Sequence, residues 1–355
     1  MRIQEQVSLA PYTTFQIGGA ARWFAEVTTE REIQEALRFA KARNLPYFIL
    51  GHGSNVLISD HGFAGVVLHI SLKGIKEQEV EGNSVLISAA AGEQWNTLVA
   101  SAVHADLAGI ECLAGIPGTV GGSPVHNVGA FGQEVSSTIR TVRAYDTETS
   151  EYIEFSGSEC GFAYRRSIFS QARGRYIITR VDYLLHRGGA PLLKQVELRK
   201  IFPQGSQPTL AEVADAVCAI RQTKGLMLVE GDPERRNAGG FFNNPIVSEE
   251  QYERIAQARG TNVPHSANET GGVKLSAAWL IQQAGFMPGL REGKAAISTL
   301  NPLVLVNPGD ATALDMIGLA ENISGTVRLH FDVELEPAPV LLMGHPQVQK
   351  TLSRR

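Results

Sequence analysis

AGIPGTVGGSPVHNVGAFGQE, residues Ala114–Glu134, is the stretch on which the fold turns. It sets Gly115, Gly118, Gly121, Gly122, Gly129 and Gly132 around one proline turn. A second glycine loop, Gly51-His52-Gly53-Ser54-Asn55, follows the apolar run Tyr47–Leu50, which reads as a strand. Glycine lets a backbone approach a ligand closely and reach positive φ, so such loops can aim several N–H groups at a diphosphate. Neither loop has the GxGxxG spacing of a dinucleotide fold or the GxxxxGK[ST] spacing of a P-loop. One alone could be a tight turn; the two in this order point to a diphosphate-bearing ligand.

Outward from these loops, composition narrows the class. With 355 residues, 43% hydrophobic and 19% charged, the chain is long enough for two or three domains with real cores. A formal net charge of -4 is near balance, which points to neither nucleic acid nor an anionic membrane surface as partner. Cys112, Cys160 and Cys218 lie far apart without CxxC spacing, which argues against a disulfide framework or a structural zinc site and for packed thiols. No apolar run approaches the length of a membrane span, and Met1–Leu9 carries Arg2, Gln4, Glu5 and Gln6 where a secretion signal would be apolar. The polar tail His345–Arg355 is expected to be frayed and solvated.

Along the chain, β and α signals alternate. Strands are predicted over Ala20–Val27, Tyr47–Leu50 and Val66–His69, with a helix over Thr29–Asn44 capped by Thr29 and turning Ile33, Ala36, Leu37 and Ala40 to one face. Further strands are predicted at Val85–Ala90, Thr141–Tyr145, Tyr152–Phe155 and Tyr176–Leu185, with helices at Trp95–Val103 and Leu210–Lys224. The stretch Pro203–Thr209 reads as a loop. Beyond Gly225, helices are predicted at Ser248–Arg259, Ser276–Ala284 and Ala311–Ile323, and a closing strand at Val327–Leu335.

The two loops, together with Thr13–Gly19 (TTFQIGG), Phe162–Phe169 (FAYRRSIF), Ala219–Lys224 (AIRQTK), Asn237–Pro245 (NAGGFFNNP) and Gly271–Gly285 (GGVKLSAAWLIQQAG), resemble the UDP-N-acetylenolpyruvoylglucosamine reductase family over nearly the whole chain. That resemblance implies an α+β protein with an FAD-binding fold of the vanillyl-alcohol-oxidase/reductase type. It places a first FAD-binding domain at residues 1–73 plus about 335–355, a second at 74–225, and a substrate domain at 226–334. It also implies a cytoplasmic enzyme, with NADPH as the reductant and an anionic small molecule as substrate.

For the cofactor, the loops nominate Gly51, Gly53, Ser54, Asn55, Gly118, Gly121, Ser123, Asn127, Gly129 and Ala130, and the resemblance adds Arg221. His52 and Cys112 do not coincide with the covalent attachment sites of more distant flavin oxidases, so the expectation is non-covalent FAD.

The family reaction reduces an enol ether: hydride goes from reduced flavin to one alkene carbon, and charge develops towards the neighbouring carboxylate. Three groups of the family serve it: an arginine, a proton-donating serine and a glutamate near the C terminus. Arg165 matches the arginine; Gly240 stands in the serine's place and Asn243 in that of an adjacent lysine. The glutamate's place in Leu335-Glu336-Pro337-Ala338-Pro339 falls on Ala338 or, with a one-residue slip, on Pro337 or Pro339. A substrate-covering tyrosine expected in Pro191–Leu198 is absent, with Gln195 or a neighbour instead.

These departures predict a FAD-dependent oxidoreductase diverted to another substrate of specialised metabolism. Tyr164 or His126 would then be the replacement acid/base, and Lys224, Asn244 and Lys274 would hold an anionic group. Two alternatives stay open: the unchanged family activity in peptidoglycan synthesis, and a flavin-binding protein without redox turnover.

Overall fold

The computed structural model describes residues 1–260, 263–268 and 271–343, so the expectation about the tail His345–Arg355 lies outside the described residues. The contacts group the chain into two compact units. The first comprises Met1–Val7, Ala21–Gly53 and Ala64–Gln222; the second comprises Ser8–Ala20, Ser54–Phe63 and the described part of Thr223–Arg355.

Two sheets build the first unit. One has the order Ile3–Ser8, Ala20–Val27, Phe63–Ile70, Tyr47–Leu50, the last two parallel with Leu50 opposite His69. Val66, Val67 and Leu68 are all fully buried, as expected for a strand covered on both faces. The helix Glu30–Ala42 belongs to this layer. Its Thr29 cap is reciprocal: the Thr29 hydroxyl accepts from the Glu32 N–H at 3.3 Å and the Glu32 carboxylate accepts from the Thr29 N–H at 3.2 Å. Such a cap contributes about 0.5–2 kcal/mol. Ile33, Ala36 and Ala40 are buried along one face, with Leu37 half-buried beside them.

The second sheet is antiparallel, in the order Glu151–Ser156, Ile139–Asp146, Tyr176–Arg187, Ser84–Ala90, Ile75–Glu79. Along Ser84–Ala90 only Val85, Ile87 and Ala89 are buried, the period-two pattern of a one-faced strand. The helix Trp95–His104 buries Trp95, Leu98, Val99 and Ala102 in the same core. Trp95 matters most to the site, because it packs 5.9 Å from Tyr183 and stands directly before the long glycine loop in space.

In the second unit, a four-stranded sheet runs Asn237–Gly240, Val304–Val306, Ala295–Ile297, Arg291–Glu292. A three-stranded sheet runs Ile246–Val247, Val273–Leu275, His265–Ala267. Val340–Leu342 pairs in parallel with Val56–Ile58. Helices Glu249–Arg259, Ala277–Gln283 and Ala313–Phe331 contribute to its core.

One expectation fails here. Val327–Phe331, anticipated as the start of a strand, is the last part of the helix Ala313–Phe331. Ile323, Val327 and Phe331 are buried four residues apart while Leu329 is 82% exposed, so the apolar residues obey helical rather than strand spacing. The helix stops at Asp332, whose φ of 57° is the left-handed cap conformation.

Candidate active site

Inside the first unit, the two glycine loops run against each other. A Cβ built on Gly51 would lie 3.0 Å from Thr119 Oγ1, and Gly53 follows at φ 69°. The long loop is anchored on its approach: the Trp95 N–H donates to the Gly118 carbonyl at 3.0 Å and the indole N–H to Leu113 O at 3.1 Å. Gly121 donates its N–H to Ala91 O at 2.9 Å, and a Cβ there would sit 2.6 Å from the Ala91 Cβ. Its place as glycine is thus dictated by packing against Ala91, and its N–H is spent within the protein.

Other loop residues also turn out to be structural anchors. The Ser123 hydroxyl donates to Val120 O at 2.9 Å and lies 2.7 Å from the Tyr183 hydroxyl, fully enclosed. Asn127 donates to Glu134 Oε2 at 2.7 Å and to Ala163 O at 3.2 Å, and accepts from the Ser136 N–H at 3.1 Å. Gly129–Ala130 pairs with Gln133–Glu134 in a short hairpin. Beneath the loop lies a group that sequence reasoning missed. Glu111, 1% exposed, accepts from the N–H groups of Gly109 (2.8 Å) and Leu192 (2.9 Å) and from the Gln133 amide (3.1 Å). No local signal marks it, since Leu192 and Gln133 are distant in sequence. Beside it, burial pushes the Cys112 thiol up, and its Sγ contacts Leu192 O at 3.2 Å.

Whether FAD fits can be tested on the chain itself. His52, inside the first loop, has a buried Nδ1 with no hydrogen-bond partner among the described residues, and burial lowers its pKa. A buried polar atom of this kind asks for a partner. Arg221 is nearly buried, and its guanidinium is depressed to about 10, chiefly by burial; Cys218 opposes that shift and the positive charge of Arg165 adds to it. An orphaned imidazole nitrogen in one glycine loop and two arginines within each other's field suit an anionic cofactor bearing a diphosphate.

Arg165 sits at the tip of a two-residue turn. Ala163 and Arg166 exchange backbone hydrogen bonds of 3.0 and 3.1 Å, leaving Tyr164 and Arg165 between them. Arg165 has φ 54°, a left-handed conformation that costs a non-glycine residue about 1–2 kcal/mol. Its Nη2 donates to Gly129 O at 2.7 Å, and its Cζ lies 5.7 Å from the Tyr164 ring centre. His126 Nδ1 lies 3.4 Å from the Arg165 carbonyl; burial is the main cause of its lowered pKa.

The second unit holds the remaining candidates. Asn55 donates from Nδ2 to Ala338 O at 3.1 Å and accepts on its own carbonyl from the Val340 N–H at 2.9 Å; Ser54 precedes it. Ala338 donates its N–H to Phe241 O at 2.8 Å, Phe242 pairs with Pro337, and the Asn243 N–H donates to Glu336 O at 3.0 Å. In this register Ala338 lies against Phe241, the residue after Gly240. A Cβ built on Gly240 would meet the Leu303 side chain at 3.0 Å, a close contact to which Leu303 would have to yield. Asn244 accepts on Oδ1 from the Ala277 N–H at 2.9 Å, at the start of the helix Ala277–Gln283. Lys274 lies on the central strand of the three-stranded sheet, and the Lys224 carbonyl accepts from Asn301 Nδ2 at 3.2 Å. Among the described residues, no cluster of three or more potential metal ligands occurs.

Known proteins add to this geometry. Residues 21–156 match a family model described as an FAD binding domain, and residues 232–342 match the C-terminal domain of UDP-N-acetylenolpyruvoylglucosamine reductase. The chain is similar to proteins of that reductase name. It is 39% identical to one from Thermobifida fusca, over 95% of this chain and 97% of the relative. It is 40% identical to one from Streptomyces coelicolor (94% and 88%) and 38% identical to one from Pseudomonas fluorescens (96% and 98%). A crystal structure of the reductase from Thermus caldophilus aligns over 96% of this chain and 99% of that one, at a TM-score of 0.66 and 26% identity.

These relatives overturn the expectation of a substrate from specialised metabolism. Similarity at this level over the full length points to the reductase and not to another task. The departures at Gly240, Asn243, Ala338 and Gln195, on which that expectation rested, therefore do not signal another substrate. FAD is the cofactor of an α+β oxidoreductase here, and the chain belongs to the UDP-N-acetylenolpyruvoylglucosamine reductase family.

Proposed function

We propose that this chain reduces UDP-N-acetylglucosamine enolpyruvate with NADPH, through FAD held non-covalently, as a cytoplasmic step of peptidoglycan synthesis. The observation that carries this reading is the full-length similarity to reductases from separate bacterial genera, together with the retention of Arg165 beside a cofactor loop. When bound, FAD supplies the hydride. Gly51, Gly53, Ser54, Asn55, Gly118, Gly129 and Ala130 would line it, with His52 Nδ1 donating to it and Arg221 offsetting its negative charge. Gly121, Ser123 and Asn127 would serve it by holding the loop in place.

Arg165 would stabilise the charge that develops towards the substrate carboxylate, since its guanidinium is always protonated and offers a planar pair of donors. Tyr164, adjacent in the same turn, would limit water around it. Lys224, Asn244 and Lys274 would hold the anionic part of the substrate. Neither Gly240 nor Ala338 has a proton to donate. In this reading a water molecule delivers the proton to the reacting carbon and leaves hydroxide to be neutralised by solvent.

The test is a two-step anaerobic titration of the purified protein. NADPH should bleach the flavin absorbance, and UDP-N-acetylglucosamine enolpyruvate should restore it with one equivalent of product. Bleaching that the substrate does not reverse would refute the proposal.

A further inference from the structure

The turn that carries Arg165 is held against the long glycine loop. Four contacts join them, all within the first unit. Ser167 Oγ donates to Val125 O at 2.7 Å, and Asn127 Nδ2 donates to Ala163 O at 3.2 Å. His126 Nδ1 meets Arg165 O at 3.4 Å, and Arg165 Nη2 donates to Gly129 O at 2.7 Å. Consecutive residues of the loop, Val125, His126 and Asn127, thus grip consecutive parts of the turn.

Arg165 stands at the position of a β-turn that glycine or asparagine normally takes, so its backbone does not hold this shape unaided. Ser167 and Asn127 fix the residues before and after it. Among the described residues, the contact from His126 is the one that reaches the main chain of Arg165 itself. The charged neighbours of His126 are Arg165 and Arg173, both of which disfavour a second positive charge, and burial does the same. The ring is therefore neutral, and a neutral ring facing a carbonyl carries its hydrogen on Nδ1.

We propose that His126 is a positioning residue: its Nδ1–H holds the Arg165 carbonyl, fixes the left-handed backbone there, and so ties the aim of the reacting guanidinium to the cofactor's own loop. This assigns His126 a different task from proton transfer. It rests on the reductase reading for its kinetic arm only.

The experiment compares FAD-loaded wild type with His126→Leu, which removes the donor, and His126→Asn, whose Nδ2 stands where Nδ1 stood. Hydrogen exchange is followed over a peptide spanning Ala163–Ser167. His126→Leu should exchange there on the order of tenfold faster, with the strands Ser84–Ala90 and Tyr176–Arg187 unchanged. His126→Asn should return to within about threefold of wild type. In turnover, His126→Leu should lose kcat by roughly tenfold or more with KM and FAD content little altered, and His126→Asn should recover most of it with an unchanged pH profile.

Wild-type exchange in His126→Leu overturns the proposal, whatever the kinetics. So does a His126→Asn variant with normal exchange that loses one limb of the pH profile, because that signature belongs to proton transfer. If the wild type fails to turn over the enolpyruvyl substrate, the reductase reading falls and the exchange comparison still decides this one. Should His126→Leu fail to accumulate, His126→Gln, whose amide lies one bond further out, supplies the same contrast with His126→Asn.

Discussion

Replacing Arg165 by glycine, alanine and lysine separates what its backbone costs from what its guanidinium does. The native φ of 54° is open to glycine and strained for every other substitute. Arg165→Gly and Arg165→Ala both lose the 2.7 Å bond to Gly129 O, a charged hydrogen bond contributing about 1.5–3 kcal/mol at most in a half-exposed setting. They differ in the backbone term: alanine keeps the left-handed strain of about 1–2 kcal/mol, while glycine loses more chain entropy on folding, about 0.4–1 kcal/mol. The net difference should leave Arg165→Gly more stable than Arg165→Ala by about 0.5–1 kcal/mol, read from urea midpoints at equal slope.

Activity should follow the opposite logic. Both variants lose the Arg165 guanidinium and should fall by roughly a hundredfold to a thousandfold in kcat, with FAD content near normal. Arg165→Lys keeps charge but not the planar pair of donors and should fall between them and wild type. Equal stability of the glycine and alanine variants would show that the turn relaxes without strain. Wild-type turnover by Arg165→Ala would show that the arginine is structural, and the reasoning about the site would fail.

Further outcomes follow from other parts of the structure. The protein should be yellow when purified and release its FAD on mild denaturation; flavin that stays with the precipitated chain would contradict non-covalent binding. Gly121→Val should lower both FAD content and stability, the latter by about 1–3 kcal/mol, because its Cβ would fall 2.6 Å from that of Ala91; thermal unfolding and the flavin-to-protein absorbance ratio read both. Burial leads the lowering of the His69 and His126 pKa values in the folded state. The unfolded chain therefore binds protons more readily near its ordinary value of about 6.5, and stability that is full above that pH should decline as pH falls through it towards the lowered folded values. A double variant His69→Gln, His126→Asn should flatten that decline in urea titrations between pH 7.5 and 5; an unchanged slope would refute it. Gly240→Ser should cost no more than about 2 kcal/mol, because its Cβ would press on the Leu303 side chain, which can shift; a larger loss in a urea titration would show that Leu303 cannot yield.

How much of this could be read before folding differs by the range of the interaction. Elements marked by local patterns were legible: the Thr29–Glu32 reciprocal cap, the alternation in Ser84–Ala90, the helix at Trp95, and the two glycine loops all announce themselves within a few residues. Val327–Phe331 misled because a β-rich composition sat on a spacing of four, and burial of Ile323, Val327 and Phe331 on one face decided for the helix. The site was legible only as a set of residue types. Arg165 was nominated from its motif, but nothing nearby in the chain foretold a left-handed backbone there or the grip of Val125, His126 and Asn127 upon it.

What the sequence alone determined is the family, the FAD-binding character and most element positions, since these rest on short-range patterns and ordered motifs. What only the tertiary structure decided are the pairings between distant segments. Ala338 lies against Phe241, Gly121 is glycine because Ala91 lies 2.6 Å from where its Cβ would be, and Glu111 gathers donors from Gly109, Gln133 and Leu192. Each depends on burying apolar surface and satisfying enclosed polar atoms at once, a condition set by the whole packed chain that no window of sequence contains.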